Sequence, residues 1–105
     1  MRLALLFLPC MFAIGCNSAS AVAEDPAVVR GRQAYLGNCI ACHNMNPALA
    51  GSLGPEVKGA TRELLEARIL RAEYPPGYKA KRETVLMPAQ PQLAGSIADL
   101  AAFLK

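Results

Sequence analysis

The chain has 105 residues, a formal net charge of +3 and an apolar composition of 53%. This length leaves room for one domain and excludes a multi-domain architecture. The net charge is too small to indicate a surface for nucleic acid, so no nucleic-acid partner is expected. The chain has one His and four Cys, and their placement is its most informative feature.

The first residues are typical of a secretory signal peptide. Arg2 gives a positive start, and an apolar run of suitable length follows as far as Ile14. The run is too short for a membrane-spanning helix. Gly15-Cys16 resembles the lipidation site of a bacterial lipoprotein, whereas an ordinary signal peptidase would cut after Ala23.

We favour the lipoprotein because the apolar run stops at Cys16 and a small polar stretch follows. Residues 1–15 are then a signal peptide (1–23 in the alternative), residues 16–24 a flexible tether, and residues 25–105 the folded domain. This organisation predicts export to the periplasm and attachment to a membrane through a lipidated Cys16. About 80 to 90 residues remain after cleavage, and a domain of that size buries a modest core.

A first helix is predicted to begin at Asp25-Pro26, where an N-capping residue precedes Pro at the first helical position. Gly37 is placed to end this helix in the left-handed conformation. The spacing of the intervening residues puts four of them on one face: Val28, Gly31, Tyr35 and Leu36.

The motif Cys39-Ile40-Ala41-Cys42-His43 follows at once. C-x-x-C-H is the spacing at which a c-type haem is attached, since two thiols can add to the vinyl groups of one porphyrin and the adjacent imidazole can bind the iron. A Cys pair also occurs in thioredoxin-like redox sites and in zinc sites. The first needs a βαβ pattern and the second needs four ligands, and the sequence offers neither.

The other two Cys do not compete with this motif. Cys10 lies inside the predicted signal peptide, and Cys16 is either lipidated or removed with it. Cys39 and Cys42 are therefore left for the cofactor, and no pair remains for a structural disulfide.

A second helix is predicted from Thr61 to about Glu73, with Thr61 as N-cap. Glu63 suits its first turn, and Arg68 and Arg71 suit its last turns, because these charges complement the helix dipole. Its apolar residues are Leu64, Leu65, Ile69 and Leu70.

A third helix is predicted from Ser96 to the last residue. Ser96 and Asp99 have the spacing of a capping box, and Lys105 suits the negative end of the helix dipole. The apolar residues fall at i, i+3, i+4 and i+7, namely Ile97, Leu100, Ala101 and Leu104. The loops, residues 44–60 and 74–92, are rich in Pro and Gly and have no strand pattern, so the predicted fold class is all-α.

The iron of such a haem needs a ligand on the face opposite His43. Met45 is too close to His43 along the chain to reach that face, whereas Met87 lies far along the chain and precedes the rigid Pro88. A thioether ligand raises the reduction potential and fills the coordination sphere, which favours electron transfer over oxygen or peroxide chemistry. In the alternative, Met87 only fills a gap in the core.

Taken in chain order, these residues resemble a small bacterial class I monohaem cytochrome c over residues 26–105. The matching motifs are Gly31 and Tyr35, C-x-x-C-H, Gly54-Pro55-Glu56-Val57-Lys58-Gly59, Met87-Pro88 and residues 99–105. The resemblance implies an all-α, orthogonal helix bundle around one covalent haem. It also implies that Leu100 and Phe103 cross the first helix at Gly31 and Tyr35.

The same resemblance implies that the Pro55 carbonyl accepts a hydrogen bond from His43 and so fixes the imidazole. Some family members hold a haem propionate with a Trp, and this chain has none. The candidates to replace it are Arg68, Arg71, Tyr74, Tyr78 and Lys79. The cations Lys79, Lys81 and Arg82 either surround the exposed haem edge, where they favour an acidic partner, or are simply solvated.

The expected function is that of an electron carrier that exchanges single electrons with redox proteins, for example in a respiratory chain, and no catalytic residue is predicted. Cys39 and Cys42 are assigned to covalent attachment, and His43 and Met87 to the iron. The alternative is a haem c subunit of an oxidoreductase complex, such as one that oxidises sulfur compounds, because residues 74–86 form a long approach to Met87. A second alternative is a haem protein that binds ligands or peroxide, which requires that Met87 does not bind iron.

Overall fold

The computed structural model describes residues 22–83 and 85–105, together with Gly15. Cys10 and Cys16, with nearly all of the predicted signal peptide and most of the predicted tether, lie outside the described residues. Within the described residues every regular element is a helix, so this part of the chain is all-α. None of its helices has the length and apolar character that a membrane span requires.

Helix α1 spans Pro26–Asn38. The Asp25 side chain accepts a hydrogen bond from the Ala27 amide at 2.9 Å. Pro26 occupies the first turn, where an amide hydrogen would have no helical partner. The predicted start of this helix is therefore confirmed.

The predicted stop of α1 at Gly37 is wrong. Gly37 does not have a positive φ, because helical hydrogen bonding continues beyond it. The Cys39 amide donates to the Tyr35 carbonyl at 2.9 Å, and the Asn38 side chain donates to the Ala34 carbonyl at 2.8 Å. The helix therefore runs directly into the C-x-x-C-H motif and fixes the position of its first thiol.

Helix α2 consists of an α-helical turn, Arg62–Leu65, followed by a π-helical turn, Glu66–Leu70. As predicted, the Thr61 side chain caps its start by accepting from the Leu64 amide at 3.2 Å. The helix ends slightly before the predicted position, because Ala72 adopts a left-handed φ of 55°. The π-helical turn has no signal in the apolar spacing and was not predicted.

Helix α3 spans Ile97–Phe103 and follows directly on a 3-10 helix, Pro91–Ser96. The predicted capping box is wrong, since the Ser96 side chain makes no capping hydrogen bond. The Ser96 backbone is already helical, with φ −103° and ψ −4°, because the 3-10 helix supplies the turn before it. The Asp99 carboxylate instead accepts two hydrogen bonds from the guanidinium of Arg30 in α1, at 2.9 and 3.0 Å.

Helices α1 and α3 cross at Gly31. The absence of a side chain there lets α1 approach the Asp99 carbonyl so closely that an added Cβ would overlap it. Beside the crossing, the rings of Tyr35 and Phe103 have centroids 5.5 Å apart and planes tilted by 49°, an arrangement that aromatic pairs favour. The contact between these two helices that the resemblance implies is thus present.

The buried core is small and forms around this crossing. Its side chains come from α1, α2, the 3-10 helix and α3: Tyr35, Leu65, Ile69, Leu93, Ile97, Leu100 and Leu104. Each of them is at most 8% exposed. The apolar spacing predicted for the last helix is therefore confirmed at Ile97, Leu100 and Leu104.

Gly31→Ala is expected to destabilise the protein by about 1–3 kcal/mol, the usual cost of overpacking a tight contact. The reason is the overlap of the new Cβ with the Asp99 carbonyl. The measurement is urea unfolding of the purified protein. Gly37→Ala is the matched control in the same helix, where no atom lies within 4 Å of an added Cβ, and it is expected to stabilise by up to about 1 kcal/mol. Equal effects of both substitutions would contradict the close crossing.

Candidate functional site

A cavity of about 340 Å³ lies between the helices and the loops that connect them. Sites for small molecules and cofactors typically measure about 300–1,000 Å³. The wall is mainly apolar and includes the core residues Tyr35, Leu65 and Leu100. The four residues that the sequence assigns to a cofactor also line it: Cys39, Cys42, His43 and Met87.

The C-x-x-C-H motif forms a tight turn at the end of α1. The amides of Cys42 and His43 both donate to the Cys39 carbonyl, at 3.3 and 2.9 Å. This turn brings both thiols and the imidazole to the cavity. Both Cys are half-buried free thiols, and burial raises the pKa of the Cys39 thiol to about 11. The Cys39 thiol is therefore protonated at neutral pH.

A backbone carbonyl determines which nitrogen of the imidazole carries the hydrogen. Nδ1 of His43 lies 2.9 Å from the Pro55 carbonyl oxygen, which is the contact that the resemblance implies. Because a carbonyl oxygen can only accept, Nδ1 carries the hydrogen and Nε2 keeps a lone pair that can bind a metal. The hydrogen bond also makes the imidazole more electron-rich and limits its rotation.

The loop that carries Pro55 is bound to the motif itself. The Cys42 carbonyl accepts from the amides of Leu53 and Gly54, at 3.2 and 2.9 Å. Gly54 is buried and lies so close to the imidazole that an added Cβ would overlap the His43 ring. Backbone hydrogen bonds, rather than a long side chain, therefore position the carbonyl that holds the imidazole.

Met87 is half-buried, packs against the core and lines the cavity. Met45 is 66% exposed and is not part of the cavity wall. The chain beyond Met87 is anchored by the Gln90 amide, which donates to the Ile69 carbonyl in the π-helical turn. Packing on the core fits a residue that only fills a gap, whereas a place on the cavity wall fits an iron ligand. The role of Met87 as an iron ligand therefore stays a prediction.

An aromatic stack forms another part of the wall. The Arg68 guanidinium lies 4.4 Å from the centroid of the Tyr74 ring. The rings of Tyr74 and Tyr78 stack with centroids 5.5 Å apart and 7° between their planes. These three residues line the cavity, whereas Arg71 lines a separate shallow pocket and Lys79 belongs to neither wall. Three of the five residues predicted as propionate candidates therefore line the cavity.

Two of the three cations that the sequence analysis places either at an exposed haem edge or in solvent also line the cavity, Lys81 and Arg82. Lys81 Nζ lies 3.2 Å from a Glu56 carboxylate oxygen, and Arg82 donates to the Gly51 carbonyl at 3.4 Å. Both thus reach from the segment before Met87 to the loop that holds the imidazole. Their closeness to Met87 in sequence is the signal on which the first of these two alternatives rests.

No protein-family model matches the chain, and no curated protein or solved structure matches it. In the part of the chain that the structure describes, no three His, Cys, Asp or Glu side chains gather closely enough to hold a metal ion. The assignment of a cofactor therefore rests on the motif and on the residues that line the cavity.

Gly54→Ala is expected to displace the His43 ring, because its Cβ would overlap Cε1 and Nδ1. We expect a loss of folding stability of about 1–3 kcal/mol. We also expect changed NMR signals of the imidazole, because the added Cβ would strain the hydrogen bond between His43 and the Pro55 carbonyl. Gly95→Ala is the matched control, because no atom lies within 4 Å of an added Cβ there. Imidazole signals that do not change in Gly54→Ala would contradict the close packing of Gly54 against the His43 ring.

Proposed function

We propose that the chain is a monohaem c-type cytochrome that carries single electrons. The observation that carries the proposal is the composition of one mainly apolar cavity wall, which includes two thiols, an imidazole and a thioether. The first three come from one motif, whereas Met87 comes from a distant loop. A Cys pair that served only as a redox couple would need neither the imidazole nor the thioether in the same cavity.

A bound haem supplies a reversible one-electron iron couple. The thiols of Cys39 and Cys42 attach it, because each S–H adds across one vinyl double bond. The sulfur bonds to one carbon, the hydrogen goes to the other, and no group leaves. Two thioether bonds at the end of α1 then hold the cofactor permanently.

His43 and Met87 determine the properties of the iron. The imidazole presents Nε2 because Nδ1 donates to the Pro55 carbonyl. The thioether is a soft neutral ligand that favours the reduced state. If His43 and Met87 both bound the iron, they would leave no coordination position for oxygen or peroxide, which would favour electron transfer over catalysis at the iron.

A class I cytochrome c fold, with an orthogonal helix bundle around the haem, is part of this proposal. The crossing of α1 and α3 at Gly31 supports it. The contact between Pro55 and His43 supports it further, as does the position of Met87 on the wall of the same cavity. Each of these is a feature that the resemblance implies.

Intact-mass measurement of the exported protein, produced in a host that attaches c-type haems, is expected to show one covalently bound haem. Replacing Cys39 and Cys42 together by Ala should abolish attachment, and either replacement alone should weaken haem retention and folding. Ile40→Ala lies inside the motif but removes no thiol, so it is the control that should retain the haem. Haem that acid-acetone extracts from the wild-type protein would refute covalent attachment.

We also propose export and a lipid anchor, on the basis of residues 1–23, nearly all of which lie outside the described part of the chain. The same mass measurement, made on the membrane fraction, is expected to identify a lipidated Cys16 as the first residue. A mature chain that starts with an unmodified Glu24 would rule out the anchor and leave a soluble periplasmic protein.

Met87→Ala is expected to lower the reduction potential and to open a coordination position, because it removes the thioether. Reduced Met87→Ala protein should therefore bind carbon monoxide readily, whereas wild-type protein should not. Met45→Ala is the matched control, since Met45 is exposed and lies outside the cavity wall. Wild-type protein that binds carbon monoxide as readily as Met87→Ala would favour a ligand-binding or peroxidatic haem protein.

A haem c subunit of an oxidoreductase complex, such as one that oxidises sulfur compounds, is the second candidate. One observation favours it: the segment that leads to Met87 exposes Val85 at 94% and Leu86 at 65%. Leu86 also lines the cavity, and exposed apolar side chains at such an edge suit a partner chain. A subunit would co-purify with a catalytic chain, whereas a free carrier would purify alone and exchange electrons with small redox proteins.

A further inference from the structure

The carboxyl end of α2 departs from regular helix geometry in two ways. Its last turn, Glu66–Leu70, is π-helical, and Ala72 then adopts a left-handed φ of 55°. Single π-helical turns are rare and frequently lie at functional sites. A left-handed φ costs free energy in a residue other than glycine, and such strain persists only where the surrounding structure requires it.

The irregular turn leaves a backbone carbonyl of α2 available to another part of the chain. In a regular α-helix the Ile69 carbonyl would accept from the amide four residues later, which belongs to Glu73. Here the Glu73 amide donates to the Ala67 carbonyl at 3.0 Å. The Ile69 carbonyl instead accepts a hydrogen bond from the Gln90 amide, in the segment that carries Met87.

This hydrogen bond is the backbone anchor that lies nearest to Met87 in the described chain. Among the described residues of the segment 79–89, no amide or carbonyl takes part in a backbone hydrogen bond. The residues just before Met87 do not pack, since Val85 is 94% exposed and Leu86 is 65% exposed. Gln90 follows Met87 by three positions, so Met87 is restrained mainly from the Gln90 side.

Gln90 is well placed to transmit this restraint. Its carbonyl accepts from the amide of the buried Leu93 at 2.9 Å. Pro88 has a fixed φ, which limits the conformations of the short chain between Gln90 and Met87. Ile69 contributes a buried side chain to the core and also lines the cavity. The position of Met87 relative to the wall that α2 forms therefore depends on the hydrogen bond between Ile69 and Gln90.

We propose that the π-helical turn positions Met87 through this hydrogen bond and so strengthens the binding of the thioether to the iron, an inference that rests on the proposed function. Without the bond, the segment leaves the cavity more often and an external ligand can take the place of Met87. The apparent affinity of that ligand rises with the fraction of molecules in which Met87 is displaced. Ile69 and Gln90 are thus positioning residues.

The test replaces the Gln90 amide by an ester in the haem-loaded protein, through incorporation of the α-hydroxy analogue of the residue. The change removes one N–H donor and leaves every side chain in place. The oxidised ester variant is expected to bind imidazole about two- to tenfold more tightly than wild type, as the loss of one typical hydrogen bond implies. The matched control is an ester at Ala89, whose amide makes no backbone hydrogen bond, and it should keep the wild-type affinity.

A second control separates positioning from a general loss of stability. Gly31→Ala disturbs the crossing of α1 and α3 but leaves the hydrogen bond between Ile69 and Gln90 in place. Its affinity for imidazole is therefore expected to stay near the wild-type value although the protein is destabilised. An unchanged affinity in the Gln90 ester, or an equal rise in Gly31→Ala, would overturn the inference.

Hydrogen exchange of the wild-type protein decides the matter if the ester variant does not fold. Because coupling between two contacts is reciprocal, displacement of Met87 by imidazole should speed exchange of the Gln90 amide by the same factor. The Val57 amide, which donates to the Pro47 carbonyl at 2.9 Å, is the control and should keep its rate. Equal exchange of the Gln90 amide with and without imidazole would contradict the coupling and overturn the inference.

Met87→Ala distinguishes a failure of this inference from a failure of the proposed function. It is expected to bind imidazole more tightly than the Gln90 ester, because it removes the thioether altogether. Met87→Ala protein that binds imidazole no more tightly than wild type would overturn the proposed iron ligand and the inference with it. Tighter binding by Met87→Ala, with no effect of the Gln90 ester, would overturn the inference alone.

Discussion

The close crossing of α1 and α3 is the contact on which the rest of the structure depends. Only a residue without a side chain at Gly31 lets α1 reach the Asp99 backbone. At this separation Tyr35 and Leu100 are both 1% exposed, and both also line the cavity. The packing that closes the core therefore forms one wall of the candidate site as well.

A series of hydrogen bonds to backbone carbonyls connects this wall to the imidazole of His43. The Tyr35 hydroxyl donates to the Asn44 carbonyl at 2.6 Å, which ties the core to the loop after the motif. The Cys42 carbonyl binds the amide of Gly54, and the next residue, Pro55, offers its carbonyl to His43. Each acceptor in this series is a peptide group, so its position is fixed by the fold and does not depend on a flexible side chain.

Local rules predict much of this arrangement from the sequence. The caps at Asp25 and Thr61 need only their own first turns, so both predictions are confirmed. The capping box fails because Asp99 is bound by Arg30 from another helix, and that hydrogen bond holds the pKa of the Asp99 carboxyl below its ordinary value. The sequence leaves open whether Arg82 lies at the site or in solvent for the same reason, since its contact with the loop around the imidazole is tertiary and leaves no periodic pattern. The C-x-x-C-H motif can be recognised in the sequence because the chemistry that it predicts requires a fixed spacing, whereas the charges around the cavity follow from packing.

The crossing also joins parts of the chain that lie far apart in sequence. Arg30 and Asp99 are separated by 69 positions, and contacts between such distant residues form slowly because a long loop must first close. Helix α1 and the motif need only local contacts, so in a chain whose α3 has not yet docked the thiols are accessible and the cavity lacks one wall. A cofactor attached at that stage would offer the later helices an apolar surface on which to fold. The slow closure of this long-range contact would thus let the motif react before the core is complete.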